Sequence, residues 1–255
     1  MDGWIYFANP TSFNDPFEMS AVAAAPTKEA FLRLIEGVGD ASVLTKSAKS
    51  KIYARVSEQL ALTGAKPLSD EWMQLVGVLC LTTKPLDVLM WAHYASNHTG
   101  VCIGFDGAFE PFNSADEVFY SDERPQIPTL EPSRDGQKLV RAVLLTKSMH
   151  WRYESEWRCV KRPMQADEIS YYRELLKRDP SKLDPIANLL ASEGGAGPYQ
   201  FDTAAIRRVY FGARVVSARR EEIMSALRLR DINAKVFQIE LDSRYYWLNK
   251  KRLDK

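Results

Sequence analysis

The sequence predicts an α+β fold: one domain over residues 1–255, with a mixed, mostly antiparallel sheet and a helical insertion at about residues 27–77. Apolar residues make up 45% and charged residues 26% of the chain, which is the composition of a globular protein and not of a disordered one. Helical and strand-like segments alternate without the regular βαβ order of a doubly wound sheet. No linker rich in glycine, proline or serine separates two halves, and no segment repeats.

The first half of the chain predicts strands on both sides of the helical insertion. Aromatic and β-branched runs indicate strands, and apolar residues at helical spacing indicate helices, with Thr27 and Asp87 as N-caps. We expect Phe13 and Phe17 to anchor the loop at 11–18 on the core. The predicted elements are strands at 3–8, 78–83 and 100–106, and helices at 27–37, 46–62, 69–76 and 88–95.

The second half predicts further strands around two helices. Residues 156–161 alternate with a period of two, which indicates a strand, whereas residues 139–146 fit a helix or a strand. Three glycines make residues 193–198 the most flexible predicted stretch and a candidate mobile loop. The other predicted elements are strands at 117–120, 209–211, 234–241 and 245–248, helices at 167–178 and 218–229, and a surface loop at 121–136.

Charge and cysteine content narrow the class of protein. The 34 basic and 33 acidic residues leave a formal charge of +1, so the whole chain lacks a basic field for nucleic acid, although a local patch is compatible with it. Cys80, Cys102 and Cys159 form no CxxC pair, which predicts reduced, buried thiols and no zinc site. Neither a long apolar stretch nor a signal peptide is present, and we predict a cytoplasmic protein.

The loop Asn14-Asp15-Pro16-Phe17-Glu18 is the first candidate site. Asn and Asp side chains bind nearby backbone groups and proline fixes the turn, a combination typical of a structured loop. The functional alternative is a rigid platform that holds Asp15 or Glu18 at the edge of a pocket.

The helix at 88–95 is the second candidate. Met90, His93, Tyr94 and Asn97 are spaced three and four apart and share a face. A face with histidine and tyrosine is unusual for packing alone, although a single histidine is more often structural than catalytic. His93 and His98 are five apart and do not share a helix face, so the pair predicts no metal site.

The segment around Glu154-Ser155-Glu156 is the third candidate. In an extended chain, residues two apart point to the same face, which would place both carboxylates together. Neighbouring carboxylates repel each other, which raises the pKa of one and lowers the stability of the fold. Such pairs are more typical of a functional site than of packing. The alternative is a solvated strand edge on which Arg152 and Arg158 pair with the two glutamates.

A fourth candidate is the turn Tyr210-Phe211-Gly212-Ala213-Arg214. A strand that ends at glycine before a helix can hold an anion at the helix N-terminus, with Arg214 adding charge. An ordinary tight turn with a solvated arginine explains the pattern equally well. The sequence contains none of the motifs GxGxxG, GxxxxGK[ST] or GxSxG.

Together, these motifs resemble those of the bacterial domain-of-unknown-function 2971 family. The resemblance rests on motifs that occur in the same order along most of the chain: Tyr6-Phe7, Asn14 to Glu18, Met90-Trp91-Ala92-His93-Tyr94, Gly100 to Asp106, Trp151 to Arg158, and Phe211-Gly212-Ala213. The resemblance implies no particular activity. Members usually carry an aromatic and basic strand and a short helix before the first strand seen here, so we expect a truncated or misassigned start.

Glu154-Ser155-Glu156 is also similar to the Glu/Gln-x-Glu strand of ADP-ribosyltransferases. This resemblance implies that Glu156 binds the nicotinamide ribose and stabilises the oxocarbenium-like transition state, while Glu154 serves the acceptor. It further implies that Tyr94 or Trp91 stacks on nicotinamide and that His93, the third candidate catalytic residue beside the two glutamates, binds a ribose or phosphate. NAD is then the co-substrate, and the candidate binding residues are Asn14, Asp15, Trp91, Tyr94 and Arg158.

Three functions therefore compete. The first is an NAD-consuming ADP-ribosyltransferase that acts on a protein or nucleic-acid target. The second is a hydrolase or nuclease in which Asp15, Glu18, Glu154 and Glu156 surround Mg²⁺ or Mn²⁺, since hard cations prefer carboxylates. The third is a ligand-binding module without catalysis, in which the helical insertion is a partner surface.

Overall fold

The computed structural model describes residues 3–37, 44–63, 65–67, 73, 75–128, 136–164, 166–180 and 194–253. The fold is α+β, with several sheets of antiparallel and mixed order. The helices are α1 (Lys28–Gly37), α2 (Lys46–Thr63), α3 (Val88–Tyr94), α4 (Gly136–Leu144), α5 (Ala166–Arg178) and α6 (Ser217–Leu229). The strands are β1 (Trp4–Phe7), β2 (Ser20–Ala24), β3 (Ala65–Pro67), β4 (Gly77–Thr82), β5 (Val101–Phe105), β6 (Asp116–Glu117), β7 (Phe119–Ser121), β8 (Gln126–Pro128), β9 (Thr146–Ser148), β10 (Glu156–Lys161), β11 (Gly197–Gln200), β12 (Ile206–Phe211), β13 (Lys235–Leu241) and β14 (Leu248–Leu253).

The chain divides into two compact units. Unit 1 comprises Met1–Ser12, Met73–Val118 and His150–Lys255, and unit 2 comprises Phe13–Trp72 and Phe119–Met149. The expectation of one folding domain stays a prediction.

Unit 1 contains a four-stranded sheet in the order β14-β13-β12-β5. β12 and β13 run parallel, as the intervening helix α6 allows, and the other two pairs are antiparallel. Phe211 and Val236 pack with Ile223 of α6 in one core. Tyr210 and Trp91 belong to a second core, which joins α3 to this sheet. The sheet therefore fixes the position of α3, which carries His93 and Tyr94.

Two smaller sheets complete the described part of unit 1. β10 lies between β4 and β6, and β1 pairs with β11. Phe7, Leu79, Cys159 and Tyr199 pack together in the core beneath them. The pairing of β10 with both β4 and β6 fixes the position of Glu156 at the start of β10.

Unit 2 combines helices with short strands. β2 lies between β3 and β8, and β7 pairs in parallel with β9. The rings of Phe31 in α1 and Tyr53 in α2 lie 5.5 Å apart, and the Thr27 hydroxyl caps α1 by accepting a bond from the Ala30 N–H. The side chains of Lys147 and Glu18 form a buried ion pair at 3.7 Å.

Most predicted elements are confirmed to within one to three residues at each end, including the capping of α3 by Asp87. The ambiguous segment at 139–146 is the end of helix α4 followed by the start of β9. The strand at 117–120 is two strands, β6 and β7, and the loop at 121–136 contains β8. Most of the helix predicted at 69–76 lies outside the described residues.

Four expectations are wrong. The strand predicted at 245–248 begins only at Leu248, because the preceding residues form a turn. Phe17 is 58% exposed and lies under the Arg124 guanidinium instead of anchoring a core. Gly194 and Gly195 are buried and hydrogen-bonded, not part of a mobile loop. Cys80 is exposed, because alternate residues of a strand face opposite sides.

Within the described residues, no helix is long and apolar enough to cross a membrane.

Candidate functional site

The two glutamates of the third candidate do not lie on one extended strand. Glu154 ends a 3-10 helix, Met149–Glu154, and Glu156 begins β10. Between them, Ser155 adopts a left-handed conformation with φ of +45°, which reverses the alternation of side chains that the prediction required. The expectation of a shared strand face is therefore wrong, although Glu154 and Glu156 are both buried, at 2% and 3% exposure.

Glu156 forms a buried ion pair with Arg158. Its two oxygens accept bonds of 2.8 Å from Nε and 3.1 Å from Nη2 of the guanidinium, and Arg158 is 0% exposed. The two residues are two apart on β10, so their side chains share one face of the strand. The alternative of a solvated, arginine-paired strand edge is confirmed for the pairing of Arg158 with Glu156. It is wrong about the solvent, because both glutamates are buried. Arg158 therefore occupies both oxygens of Glu156, and a catalytic role for Glu156 stays a prediction.

Glu154 lies beneath the surface, where two hydroxyl groups bind it. The Tyr94 hydroxyl donates a bond of 2.6 Å to the carboxylate Oε1, and the Thr82 hydroxyl donates one of 2.5 Å to the backbone oxygen. Tyr94 itself is 52% exposed. Glu154 is thus a buried carboxylate that binds the hydroxyl of a half-exposed tyrosine.

Four neighbouring rings, one of them that of Tyr94, form what we call the aromatic patch: His93, Tyr94, Trp151 and Tyr153. The His93 ring centroid lies 6.3 Å from that of Tyr94 and 6.4 Å from that of Tyr153. Tyr153 in turn lies 6.1 Å from Trp151. His93 is exposed, and Trp151 and Tyr153 are partly exposed. The geometry brings helix α3 and the 3-10 helix together, 60 residues apart in sequence.

Of the two predicted stacking residues, only Tyr94 is on the surface. Trp91 is buried, and its indole N–H donates to the Pro85 carbonyl at 2.8 Å. Helix α3 ends at Tyr94, and Asn97 has a positive φ of +55° beyond it. The expectation that Asn97 continues the helical face is therefore wrong.

His98 occupies a strained turn behind Trp91. Ser96, Asn97 and His98 all have positive φ, and the His98 ring stacks on Trp91 at 6.5 Å. Burial, followed by the positive charge of Arg214, lowers the pKa of His98. Its Nδ1 is buried and has no hydrogen-bond partner among the described residues.

Two backbone N–H groups of the turn at 210–214 are bound to carbonyl oxygens of the segment 98–100, so they are not available to an anion. The N–H of Gly212 donates to Gly100 at 3.0 Å, and that of Arg214 donates to His98 at 2.9 Å. A Cβ at position 212 would lie 2.2 Å from the His98 carbonyl oxygen, so glycine is required for this close approach. The geometry favours the tight turn over the anion site.

Asn14 and Asp15 lie in unit 2. Asp15 is buried, and its Oδ1 accepts a bond of 2.9 Å from the Phe17 N–H, as expected of a structured loop. Its Oδ2 has no hydrogen-bond partner among the described residues. Asn14 is exposed. A role for either residue in binding stays a prediction.

Metal-ligating side chains do not gather in the described part of the chain: no three His, Cys, Asp or Glu residues there form a group that could hold an ion. Two of the four carboxylates in the metal hypothesis are bound instead by Arg158 and Tyr94, and Glu18 pairs with Lys147.

Comparison with known proteins gives one family. Residues 90–159 match the family model described as "Protein of unknown function (DUF2971)". The matched segment begins in α3 and ends in β10, so it contains the whole aromatic patch together with Glu154 and Glu156. The chain matches no curated protein and no solved structure, and these comparisons give the ADP-ribosyltransferase resemblance no support.

Proposed function

We propose that the chain is a nucleotide-binding protein and that the aromatic patch is the surface on which the ring of a nucleotide such as NAD stacks. The observation that carries the proposal is the exposed Tyr94 ring, held in place by its bond to buried Glu154. A ring fixed before binding loses little conformational freedom when a ligand arrives. His93 and Tyr153 extend the ring surface around it.

The chemistry of the patch suits a nucleotide better than a simple apolar ligand. Aromatic side chains stack on the face of any base, each contributing about 1–3 kcal/mol. The ring nitrogens of exposed His93 offer hydrogen bonds to a ribose or phosphate. Arg152, exposed on the same 3-10 helix as Tyr153, adds a positive charge for phosphate.

ADP-ribosyl transfer is a second candidate, favoured by the position of Glu154. Its Oε1 already accepts a hydroxyl, that of Tyr94, at 2.6 Å. A ribose hydroxyl bound to the same carboxylate beside Tyr94 would share its negative charge, as the stabilisation of an oxocarbenium-like transition state requires. In this proposal Glu154 takes the catalytic role that the resemblance assigned to Glu156, because Arg158 occupies both oxygens of Glu156. The acceptor is a protein or a nucleic acid.

Calorimetric titration with NAD tests the binding proposal. We expect saturable binding that weakens about tenfold or more in Tyr94→Leu, since one stacking contact is lost, and that also weakens in His93→Ala. Tyr171→Leu is the matched control, because Tyr171 is a similarly exposed tyrosine on α5. No saturable binding of NAD or ATP, or equal affinity of Tyr94→Leu and the control, would refute the proposal.

Release of nicotinamide from labelled NAD tests the catalytic candidate. Glu154→Gln should abolish release while NAD still binds. The ADP-ribosyl group must pass to water or to an acceptor as nicotinamide leaves, so the assay is run alone and with added protein and nucleic acid. If the native chain binds NAD and releases no nicotinamide under either condition, the protein is a binding module. Release that persists in Glu154→Gln would exclude the proposed role of this carboxylate.

A further inference from the structure

We infer that the hairpin of β13 and β14 carries a second binding surface, for single-stranded nucleic acid. This hairpin surface consists of three rings at the tip, Tyr245, Tyr246 and Trp247, and two cations on one face of β14, Lys250 and Arg252. None of these residues belongs to the aromatic patch, so the inference stands apart from the proposed function.

The tip exposes an unusual amount of aromatic surface. Tyr246 is 104% exposed, and Tyr245 and Trp247 are each more than half exposed. Large rings are normally buried because their hydration is unfavourable, and a cluster of exposed rings marks an interaction site. The rings of Tyr245 and Trp247 also pack on each other, with centroids 4.5 Å apart.

Asp242 holds the tip in one conformation. Its Oδ1 accepts the N–H groups of Arg244 and Tyr245 at 2.8 and 2.9 Å, and its Oδ2 accepts the Asn249 amide at 2.7 Å. Its own N–H donates to the Trp247 carbonyl at 3.1 Å. These bonds keep the carboxylate charged and lower the pKa of Asp242 to about 2. The rings are therefore presented on a closed turn, which reduces the entropy lost on binding.

The strand beside the tip is basic. Lys250, Lys251 and Arg252 are exposed on β14, which lies at the edge of its sheet. Because side chains alternate along a strand, Lys250 and Arg252 share one face of β14 and Lys251 lies on the other. Lys250 lies 5.3 Å above the Phe237 ring, which keeps its ammonium close to the strand. Residues 235–253 contain five basic and two acidic residues, a local charge of +3 in a chain whose total is +1.

Rings beside cations fit single-stranded nucleic acid in particular. Unpaired bases stack on aromatic rings regardless of sequence, while lysine and arginine neutralise the phosphates. A duplex keeps its bases stacked inside the helix and offers only the phosphates. The ligand of the hairpin surface is therefore a single strand. An anionic membrane and a second copy of the chain are its rivals.

Fluorescence anisotropy with a labelled single-stranded oligothymidylate tests the inference on the full chain. We expect binding that is stronger than to a duplex of equal length and that weakens about tenfold in Tyr246→Ala. Arg252→Gln should reduce the slope of log affinity against log salt by about 0.7. Tyr171→Ala and Arg219→Gln, which change exposed residues on α5 and α6, should leave both quantities unchanged.

Other outcomes overturn the inference. Tyr246 is fully exposed, so its replacement should leave the far-ultraviolet circular dichroism native, and unchanged affinity in a folded Tyr246→Ala would refute a stacking role. Equal or tighter binding to the duplex would reduce the surface to a nonspecific cation patch. Phosphatidylserine vesicles that bind the chain while the oligothymidylate does not would identify a membrane surface. Dimerisation that Tyr246→Ala abolishes, without oligothymidylate binding, would identify a second copy as the occupant.

Discussion

Glu156→Gln should damage folding before it damages any activity. In the wild-type chain, the two carboxylate oxygens accept bonds of 2.8 and 3.1 Å from Arg158. The glutamine keeps only one oxygen, so its amide NH₂ faces one of these N–H donors and cannot accept its bond. The guanidinium, 0% exposed, loses the negative charge of this carboxylate. Removing one partner of such a buried pair costs about 3–5 kcal/mol, a large share of the roughly 5–15 kcal/mol that stabilises a typical protein.

Urea unfolding followed by tryptophan fluorescence measures this loss directly. In thermal unfolding, the loss of about 3–5 kcal/mol corresponds to a fall in Tm of about 6–20 °C. Each kcal/mol shifts Tm by about 2–4 °C in a protein of this size. Glu168→Gln is the matched control, because Glu168 also binds an arginine, Arg162, through both oxygens, but on the surface. The control should lose less than about 1 kcal/mol.

The reasoning fails if Glu156→Gln is destabilised no more than Glu168→Gln. The result also decides how activity data are interpreted. A loss of turnover in an unfolded Glu156→Gln says nothing about catalysis, so Glu154→Gln is the informative variant.

Four further predictions follow from titratable groups and from the architecture. Asp242 has a folded pKa of about 2 against 3.8 in the unfolded chain, so its stabilising effect is complete above pH 3.8 and is lost as pH falls towards 2; Asp242→Asn should flatten acid unfolding in this range. The pKa of His98 is lowered from 6.5, so the unfolded chain takes up the proton more readily and stability should fall as pH drops through 6.5, an effect that His98→Gln should remove. Iodoacetamide should label exposed Cys80 first, because burial raises the pKa values of the Cys102 and Cys159 thiols; mass spectrometry after brief labelling checks the order. If residues 1–255 form one folding domain, fluorescence and circular dichroism should show one coincident unfolding transition, whereas separate transitions would indicate two domains.

Local patterns predicted the elements that depend on neighbouring residues. The period-two alternation at 156–161 corresponds to β10 residue for residue, because a strand's two faces meet different surroundings. Asp87 caps α3 as predicted, through bonds to residues two and three positions away.

The sequence could not show which residues meet in the site. Tyr94 and Glu154 are 60 residues apart, and no local pattern links them. The left-handed Ser155 carries no signal either, because serine is not a residue that favours positive φ as glycine and asparagine do. Aromatic residues at 245–247 favour a strand by propensity, and the bonds of Asp242 to the following backbone override it.

The pairing of β1 with β11 has a consequence for biosynthesis. Trp4 pairs with Gln200, and Thr82 pairs with Glu156, so the early strands emerge from the ribosome long before their partners. At a translation rate of about 5–20 residues per second, roughly 10–40 s pass between the synthesis of β1 and that of β11. Strands β12 to β14, by contrast, lie within about fifty residues of one another in sequence, so they can pair soon after they are made. We expect nascent chains that stop before residue 197 to keep β1 exposed, open to chaperones and to aggregation.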